Sequence, residues 1–254
     1  MDLHYERSGD GPPLLLLHGL GGYGGLWQPV VERLREYRDL VVPDMPGFGR
    51  SPRLQAEGPA TAGAIATPVI ALCEELGIGR PHIGGNSLGA WVALEMAKRG
   101  KAASVTGISP AGLWRNALGP RRYDSHGLGR RLRPLVSVLM ASEAGRTRVL
   151  RTTMARPEAV PAGEARTVVM NYLGAAGYRE ANEAMRAAPF EHDGLIDVPV
   201  TLVWGEEDRL LGRPSRTRMP PGTRFFTVPG WGHTPTWDDP DGVARLLLEG
   251  SGGE

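Results

Sequence analysis

Residues 81–99, PHIGGNSLGAWVALEMAKR, combine a short apolar run, a glycine-flanked serine and a helical repeat in immediate succession. The apolar residues after Ser87 recur at helical spacing, whereas the run before it is typical of a strand. The residues between them fit G-x-S-x-G, a sharp strand-to-helix turn that strains the serine backbone. Such a turn projects the hydroxyl at the carboxyl end of a sheet, beside a helix N-terminus that favours developing negative charge. We therefore predict that Ser87 is a nucleophile; the alternative is a serine that only caps the helix.

Short apolar runs alternate with longer amphipathic stretches along most of the chain, as is typical of βαβ units. Several runs are continuous Leu, Val and Ile, as expected of strands that are buried on both faces. The predicted strands are Leu3–Arg7, Leu14–Leu17, Asp39–Val42, His82–Gly84, Ser104–Ile108, Val200–Trp204 and Arg224–Val228. The predicted helices are Leu26–Tyr37, Thr61–Leu76, Leu88–Arg99 and a short one near Gly242–Glu249. The sequence thus predicts an α/β fold with a mostly parallel sheet flanked by helices.

The pattern changes between about Gly112 and Pro189, where no strand-like run occurs. We predict two to four helices there, for example Pro134–Ala141, Glu143–Met154, Glu164–Ala175 and Arg179–Arg186. The expected domains are therefore an α/β core made of residues 1–112 and 190–254, and a helical cap, residues 113–189, inserted into that core.

A serine hydroxyl is a poor nucleophile until a base takes its proton, so the prediction requires a histidine. Among six histidines, His233 lies in a glycine-rich loop after the last predicted strand, and that loop can bring an imidazole over the serine. His18 follows an early strand and is expected to shape that turn, and His82 falls inside a strand. The others, which lack an informative context, are His4, His126 and His192. We predict that His233 is the base.

The base needs an acid that fixes its tautomer and stabilises the imidazolium. Three acids follow the strand Val200–Trp204, and Asp208 lies furthest into the loop, whereas Glu206 and Glu207 are expected to be solvated. Asp44 is a rival, but its surroundings indicate a turn that is held by its own carboxylate. We predict Asp208 as the acid.

Acyl transfer also needs donors for the oxyanion. The expected donors are the backbone N–H groups of Leu88, which follows the serine, and of Leu20, in the loop after His18. The alternative for that loop is a flexible turn with no such role.

Composition excludes several classes of protein. The 254 residues carry a net charge of +1, which gives no reason to expect a nucleic-acid partner. No apolar run approaches the length that spans a bilayer, and no signal peptide is recognisable. A single cysteine, Cys73, excludes an internal disulfide, so we expect a cytoplasmic protein. Phosphate-binding loops, dinucleotide fingerprints and metal-ligand spacings are missing from the sequence, so no metal or organic cofactor is expected.

Residues 112–190 carry thirteen arginines and six acidic residues. Since the chain as a whole strongly prefers arginine to lysine, compositional drift explains this excess most simply. The alternative is a cap that attracts anionic substrates.

Five motifs together resemble the α/β-hydrolase superfamily. They are His18-Gly19, the turn Asp44–Ser51, Gly85–Gly89, Trp204–Asp208 and Gly232-His233. The order Ser87, Asp208, His233 is also that of the superfamily. The resemblance runs along most of the chain but does not reach the predicted cap. The chain departs from a common pattern at Ala90, where many relatives have glycine, and few strands precede His18.

The resemblance implies a serine hydrolase that acts on an ester, thioester or lactone of a small to medium organic acid, without a cofactor. A serine at position 87 argues against haloalkane dehalogenases and epoxide hydrolases, which carry Asp there. Carboxylesterases, lactonases, carbon–carbon bond hydrolases and cofactor-free haloperoxidases remain. The alternatives are therefore another reaction on the same triad, such as diketone cleavage or a tailoring step in secondary metabolism, or a hydrolase-like ligand receptor with little turnover. Neither the substrate nor the oligomeric state follows from the sequence.

Overall fold

The computed structural model describes residues 1–120, 125–193 and 195–252, and seven strands within them form one sheet. The strands are β1 (Tyr5–Ser8), β2 (Pro13–Leu17), β3 (Asp39–Pro43), β4 (His82–Asn86), β5 (Ser104–Ile108), β6 (Val200–Gly205) and β7 (Arg224–Val228). Their order in the sheet is β1-β3-β2-β4-β5-β6-β7, and only β1 runs antiparallel to its neighbour. The predicted fold class is confirmed, and all seven predicted strands are present with ends that differ by at most two residues.

Helices cover both faces of the sheet. They are α1 (Gln28–Leu34), α2 (Ala62–Glu75), α3 (Leu88–Lys98), α4 (Ser125–Arg131), α5 (Arg133–Leu139), α6 (Glu143–Leu150), α7 (Ala162–Gly174), α8 (Tyr178–Ala187) and α9 (Pro240–Gly250). On one face of the sheet, apolar residues of α2 and α3 form a buried cluster with the strand side chains that point to that face. On the other face, apolar residues of α1 and α9 form a second cluster with the strand side chains that point there.

The run Leu14–Leu17 shows why the central strands have no alternating pattern. Successive side chains of a strand point to opposite faces. Leu15 and Leu17 accordingly join the cluster on the α2 and α3 side, whereas Leu14 and Leu16 join the one on the α1 and α9 side. All four are at most 1% exposed, so both faces of this strand require apolar residues.

The first predicted helix is wrong at both ends. Residues Gly24–Trp27 form a 3₁₀ turn, and the α-helix runs only from Gln28 to Leu34. Pro29 lies in the first turn of α1, where its missing N–H costs no hydrogen bond, so it marks the start of the helix.

Five α-helices, α4 to α8, lie between β5 and β6 in the described residues, where the sequence predicted two to four. The additional helix is α4, whose seven residues include Gly127 and Gly129. Glycine disfavours helices, so the local sequence did not predict this one. No helix among the described residues is both long and apolar enough to cross a lipid bilayer.

The chain leaves the sheet and returns to it at one place. The backbone N–H of Phe190 donates to the carbonyl of Gly112 at 2.8 Å, and Leu118 N–H donates to the carbonyl of Arg186 at 3.0 Å. Residues 113–189 therefore begin and end side by side.

The turn between α7 and α8 packs against the core. The N–H of Gly177 donates to the carbonyl of Gly47 at 2.8 Å, and the Arg53 guanidinium donates to the carbonyl of Ala176 at 2.6 Å. These bonds join the helices between β5 and β6 to the turn that contains Asp44.

Candidate active site

Ser87 stands in a strained turn between β4 and α3. Its φ of 54° and ψ of −115° lie outside the regions that non-glycine residues usually adopt. Its N–H donates to the carbonyl of Ile108 at 2.9 Å, and its carbonyl accepts the N–H of Ala111 at 3.0 Å, so the neighbouring strand end holds this backbone in place. Ser87 occupies the N-cap position of α3, but its side chain makes no capping hydrogen bond.

The glycines on either side of Ser87 allow the turn to form. A Cβ on Gly89 would collide with the backbone carbonyl of Leu17, and one on Gly85 would lie 2.6 Å from the backbone nitrogen of Ala90. Because both obstacles are backbone atoms, no side-chain rotation relieves them. The close packing of strand β2, strand β4 and helix α3 therefore requires glycine at both flanking positions of the motif.

Asp208 and His233 form a buried pair. Nδ1–H of His233 donates to Oδ2 of Asp208 at 2.8 Å, and neither side chain is more than 4% exposed. The other oxygen, Oδ1, accepts the N–H groups of Leu210 and Leu211, each at 2.9 Å. Burial acts to raise the pKa of the Asp208 carboxyl, but the bonds from His233, Leu211 and Leu210 outweigh it and hold that pKa below its usual range. An ionised Asp208 places the imidazole proton on Nδ1 and leaves the Nε2 lone pair available.

The two glutamates beside Asp208 face solvent. Glu206 accepts the hydroxyl of Thr227 at 2.9 Å, and Glu207 pairs with Arg209 at 3.2 Å. Of the three acids that follow strand β6, only Asp208, the one predicted from the sequence, contacts His233.

Asn86 joins the serine turn to the histidine loop. Its Nδ2 donates to the backbone carbonyl of His233 at 2.7 Å, and its Oδ1 accepts the hydroxyl of Thr234 at 3.3 Å. Since Asn86 directly precedes Ser87, these bonds fix the position of the histidine backbone relative to the serine.

A second buried carboxylate supports the histidine loop from the other side. Oδ2 of Asp238 accepts the N–H groups of Gly232 at 2.9 Å and of Ala155 at 3.0 Å, and Oδ1 accepts that of Arg156 at 2.8 Å. Burial raises the pKa of Asp238 against the opposing effect of these three bonds. The N–H of Thr234 also donates to the carbonyl of Thr153 at 2.7 Å. The loop that carries His233 is thus bonded to the segment after α6.

The loop after β2 lies against the serine. A Cβ on Gly19 would lie 3.2 Å from the Cβ of Ser87, which places the next residue, Leu20, beside the turn. Among the described residues, neither the N–H of Leu20 nor that of Leu88 has a hydrogen-bond acceptor. Both predicted donors therefore lie close to the serine backbone with their hydrogen-bonding capacity unused.

His18 shapes this loop, as predicted. It is buried, its Nδ1–H donates to the carbonyl of Gly19 at 2.8 Å, and its Nε2 accepts the N–H of Met45 at 3.0 Å. Burial lowers the pKa of His18, so one neutral tautomer satisfies both bonds. Asp44 is likewise structural, because its carboxylate accepts the N–H groups of Gly24 at 2.6 Å and Arg50 at 2.8 Å.

Two tyrosines from the helices between β5 and β6 cover the same loop. A Cβ on Gly21 would lie 2.6 Å from the ring of Tyr172 and 3.3 Å from that of Tyr178. The two hydroxyls are 3.3 Å apart, and His126 stacks on Tyr178 with ring centroids 4.0 Å apart. This aromatic cluster lies next to Leu20.

The described residues contain no group of three or more His, Cys, Asp or Glu side chains suited to a metal ion. The site contains a strained serine, a buried imidazole–carboxylate pair that Asn86 links to the serine turn, and two backbone N–H groups without an acceptor among the described residues. The family profile described as "alpha/beta hydrolase fold" matches residues 12–240. The chain belongs to the α/β-hydrolase family.

Several individual members of the family are similar to this hydrolase. Epoxide hydrolase EphH of Mycobacterium tuberculosis is 30% identical over 74% of this chain and 93% of its own length. A pimeloyl-[acyl-carrier protein] methyl ester esterase of Vibrio vulnificus is 53% identical, over 22% of each chain. A thermophilic esterase from Thermogutta terrifontis superposes with a TM-score of 0.71 at 24% identity, covering 97% of this chain and 92% of its own. That last likeness concerns the fold.

The sequence did not predict three features of the hydrolase site. Asn86 occupies a position that the motif leaves free, so its contact with His233 had no local signal. Asp238 lies five residues after the histidine but binds backbone groups 82 and 83 residues away. The tyrosines come from a segment in which no motif was recognised.

Proposed function

We propose that this α/β hydrolase cleaves an ester, thioester or lactone through a triad of Ser87, His233 and Asp208. The observation that carries the proposal is the 2.8 Å bond between the buried Nδ1 of His233 and Oδ2 of Asp208. That bond prepares Nε2 as a base, and Asn86 links the histidine backbone to the residue before the serine.

In the first half of the reaction, Nε2 of His233 takes the proton of the Ser87 hydroxyl while Oγ attacks the carbonyl carbon of the substrate. The π electrons of the carbonyl move onto its oxygen, and the N–H groups of Leu88 and Leu20 stabilise the resulting oxyanion. Asp208 stabilises the imidazolium without taking its proton. When the carbonyl re-forms, His233 protonates the leaving alcohol or thiol, and the acyl group stays on Ser87.

In the second half, water attacks the acyl-enzyme while His233 takes a proton from that water. The oxyanion forms at the same donors. Its collapse releases the acid, and the proton returns to Oγ of Ser87. Atoms and charges balance without a metal or a redox group.

The serine favours acyl transfer over the epoxide opening named for the relative EphH. A carboxylate that attacks an epoxide forms an ester, which water then hydrolyses. Attack by Ser87 on an epoxide would leave an ether, which offers water no carbonyl. Residue 87 therefore supports a carbonyl substrate for this chain.

We also propose that residues 113–189 act as a cap that builds the substrate pocket. Tyr172 and Tyr178 support this role because they pack on Gly21, beside the proposed oxyanion donor Leu20. The bond between Thr234 and Thr153 further joins this segment to the histidine loop.

The decisive experiment combines a substrate screen with active-site labelling. Wild-type protein and Ser87→Ala are assayed on nitrophenyl esters, lactones and diketones, and a fluorophosphonate probe is located by peptide mass spectrometry. We expect ester or lactone turnover that falls roughly 10³-fold or more in Ser87→Ala, with the adduct on the peptide that contains Ser87. Turnover of diketones alone would instead indicate carbon–carbon bond hydrolysis. Tight binding without turnover would indicate a receptor, and labelling at another residue would remove the serine mechanism.

A further inference from the structure

The helices α4 and α5 expose an unusual amount of apolar surface. Eleven large apolar side chains are exposed among the described residues, and five of them lie between residues 128 and 139. No residue of α5 is buried. We call these five side chains the apolar row: Leu128, Leu132, Leu135, Val138 and Leu139. A concentration of exposed apolar residues of this kind marks an interaction surface.

The row lies on one side of a nearly continuous helix. Hydrogen bonds of helical type cross the junction between α4 and α5, from Leu132 N–H to the Leu128 carbonyl at 3.1 Å and from Val136 N–H to the Leu132 carbonyl at 2.9 Å. Residues 128, 132, 135 and 139 therefore follow a spacing of four, three and four, which places them on one helical face. Val138 lies three residues after Leu135 and widens that face.

The charges of these two helices all have one sign. At helical spacing Arg131 lies beside the row, whereas Arg130 and Arg133 lie on the other side of the helix, and the sequence contains no Asp or Glu from Ser125 to Ser142. None of the three guanidinium groups forms an ion pair with a carboxylate of the described residues. The surface therefore fits an anionic partner that also accepts apolar side chains.

We propose that the apolar row and its arginines dock on the surface of an anionic lipid bilayer. Leu and Val side chains would enter the boundary between headgroups and acyl chains, and the guanidinium groups would bind headgroup phosphates, as in helices that lie in a membrane interface. A second copy of the chain is a poorer fit, because a two-fold interface through this face would bring both sets of arginines together. A bilayer also accepts protruding Leu135 and Val138 without a shaped pocket. The docking is peripheral and does not depend on the proposed hydrolysis.

The experiment measures co-sedimentation of the full chain with vesicles of phosphatidylcholine mixed with phosphatidylglycerol, and with vesicles of phosphatidylcholine alone. We expect binding to the mixed vesicles that weakens with added salt, and little binding to the neutral ones. Arg131→Gln should weaken binding by roughly fivefold, and adding Arg130→Gln, on the other side of the helix, should weaken it further by less than that. Leu135→Ser combined with Val138→Ser should weaken it roughly tenfold or more, because both side chains would leave the apolar layer.

Matched controls come from exposed residues elsewhere on the surface. Leu195→Ser with Tyr37→Ser removes two other large exposed apolar side chains, and Arg179→Gln with Arg224→Gln removes two exposed arginines. These pairs should bind vesicles like the wild type, and thermal unfolding checks that every variant folds. Equal binding to both kinds of vesicle, or wild-type binding by Leu135→Ser/Val138→Ser, would overturn the proposal. Sedimentation equilibrium adds one more outcome: a dimer that this double variant abolishes would make the row an interface between copies.

Discussion

Asp238 accepts, at 2.9 Å, the backbone N–H of Gly232, the residue directly before His233 in the chain. The same carboxylate binds the N–H groups of Ala155 and Arg156 at the end of the segment that follows α6. The proposed base is therefore held from three sides: Asn86 of the serine turn binds its backbone carbonyl, Asp208 binds its imidazole, and Asp238 ties the preceding Gly232 to this segment.

We predict that Asp238→Asn lowers kcat more than it raises KM. An amide places an N–H₂ group where a carboxylate oxygen now accepts backbone donors, so the loop must shift and His233 moves relative to Ser87. The pH profile of kcat and the imidazole NMR signals of His233 should change with it.

Asp239→Asn is the matched control for Asp238→Asn. Asp239 is the neighbouring acid and also accepts two bonds, from Gly242 N–H at 2.9 Å and from the indole of Trp231 at 3.0 Å, but it does not contact residues 155 and 156. If both variants alter His233 equally, the connection to that segment has no special role.

Asp208→Asn should reduce turnover roughly 10³-fold or more while the protein stays folded. An asparagine amide favours the wrong imidazole tautomer and does not stabilise the imidazolium. Glu206→Gln and Glu207→Gln should leave turnover nearly unchanged, since both side chains face solvent. Steady-state kinetics of the three variants on one active ester measures these effects. If Asp208→Asn kept wild-type turnover and Glu207→Gln lost it, Glu207 and not Asp208 would be the acid of the triad.

The pKa of Asp208 predicts an acid-dependent loss of stability. Its carboxyl has a pKa below the usual range in the folded protein, and about 3.9 in an unfolded chain. The ionised group therefore stabilises the fold above about pH 4, and this contribution is lost as the pH falls through the folded pKa. The Tm of the wild type should fall more steeply than that of Asp208→Asn between about pH 5 and pH 3. Parallel curves would contradict the prediction, and Glu207→Gln should follow the wild type.

Strain at Ser87 predicts a gain in stability when the side chain is removed. A non-glycine residue in so unusual a conformation costs about 1–3 kcal/mol. Ser87→Gly should therefore raise the free energy of unfolding by about 1 kcal/mol relative to Ser87→Ala, which keeps the Cβ. Denaturant unfolding of the two inactive variants measures the difference, and equal stabilities would mean that the turn carries no strain.

If residues 113–189 are a cap, their helices should be among the least protected parts of the fold. Lids must open for substrate, so they belong to the low-stability end of a structure. Hydrogen exchange in α5 and α6 should therefore be faster than in β6 or α3. Exchange as slow as in the central strands would exclude the cap.

The sequence predicted best those features that depend on local spacing. Burial on both faces leaves a continuous apolar signal that identified the central strands, as in Leu14–Leu17, and the edge strands β1 and β7 were found although they are partly exposed. The turn at Ser87 was recognisable because nearby backbone atoms leave no room for a Cβ at Gly85 or Gly89, so the glycines appear in the sequence as a motif. Helix α4 was not, since Gly127 and Gly129 oppose helix formation and contacts with other helices must offset that preference.

Features that depend on distant contacts had no signal in the sequence. Asn86 and His233 are 147 residues apart, and position 86 could hold another residue without breaking the G-x-S-x-G pattern. The choice of Asp208 over Glu207 rested on its position in the loop and on the resemblance of the Trp204–Asp208 motif. The geometry supplies the reason, because only Asp208 receives the N–H groups of Leu210 and Leu211 while it faces the imidazole.

The hydrogen bond between Phe190 and Gly112 brings the two ends of residues 113–189 together, which is the geometry that an exchangeable insertion requires. Because the two ends of this segment meet, a segment grafted from another protein needs to match only one narrow junction. A connection between parallel neighbours such as β5 and β6 needs about a dozen residues, and residues 191–199 outside the segment already supply most of them. A lineage could replace this segment by recombination at that junction while the sheet, the serine turn and the acid loop stay unchanged. Selectivity for substrate and attachment to a surface would then evolve apart from bond cleavage.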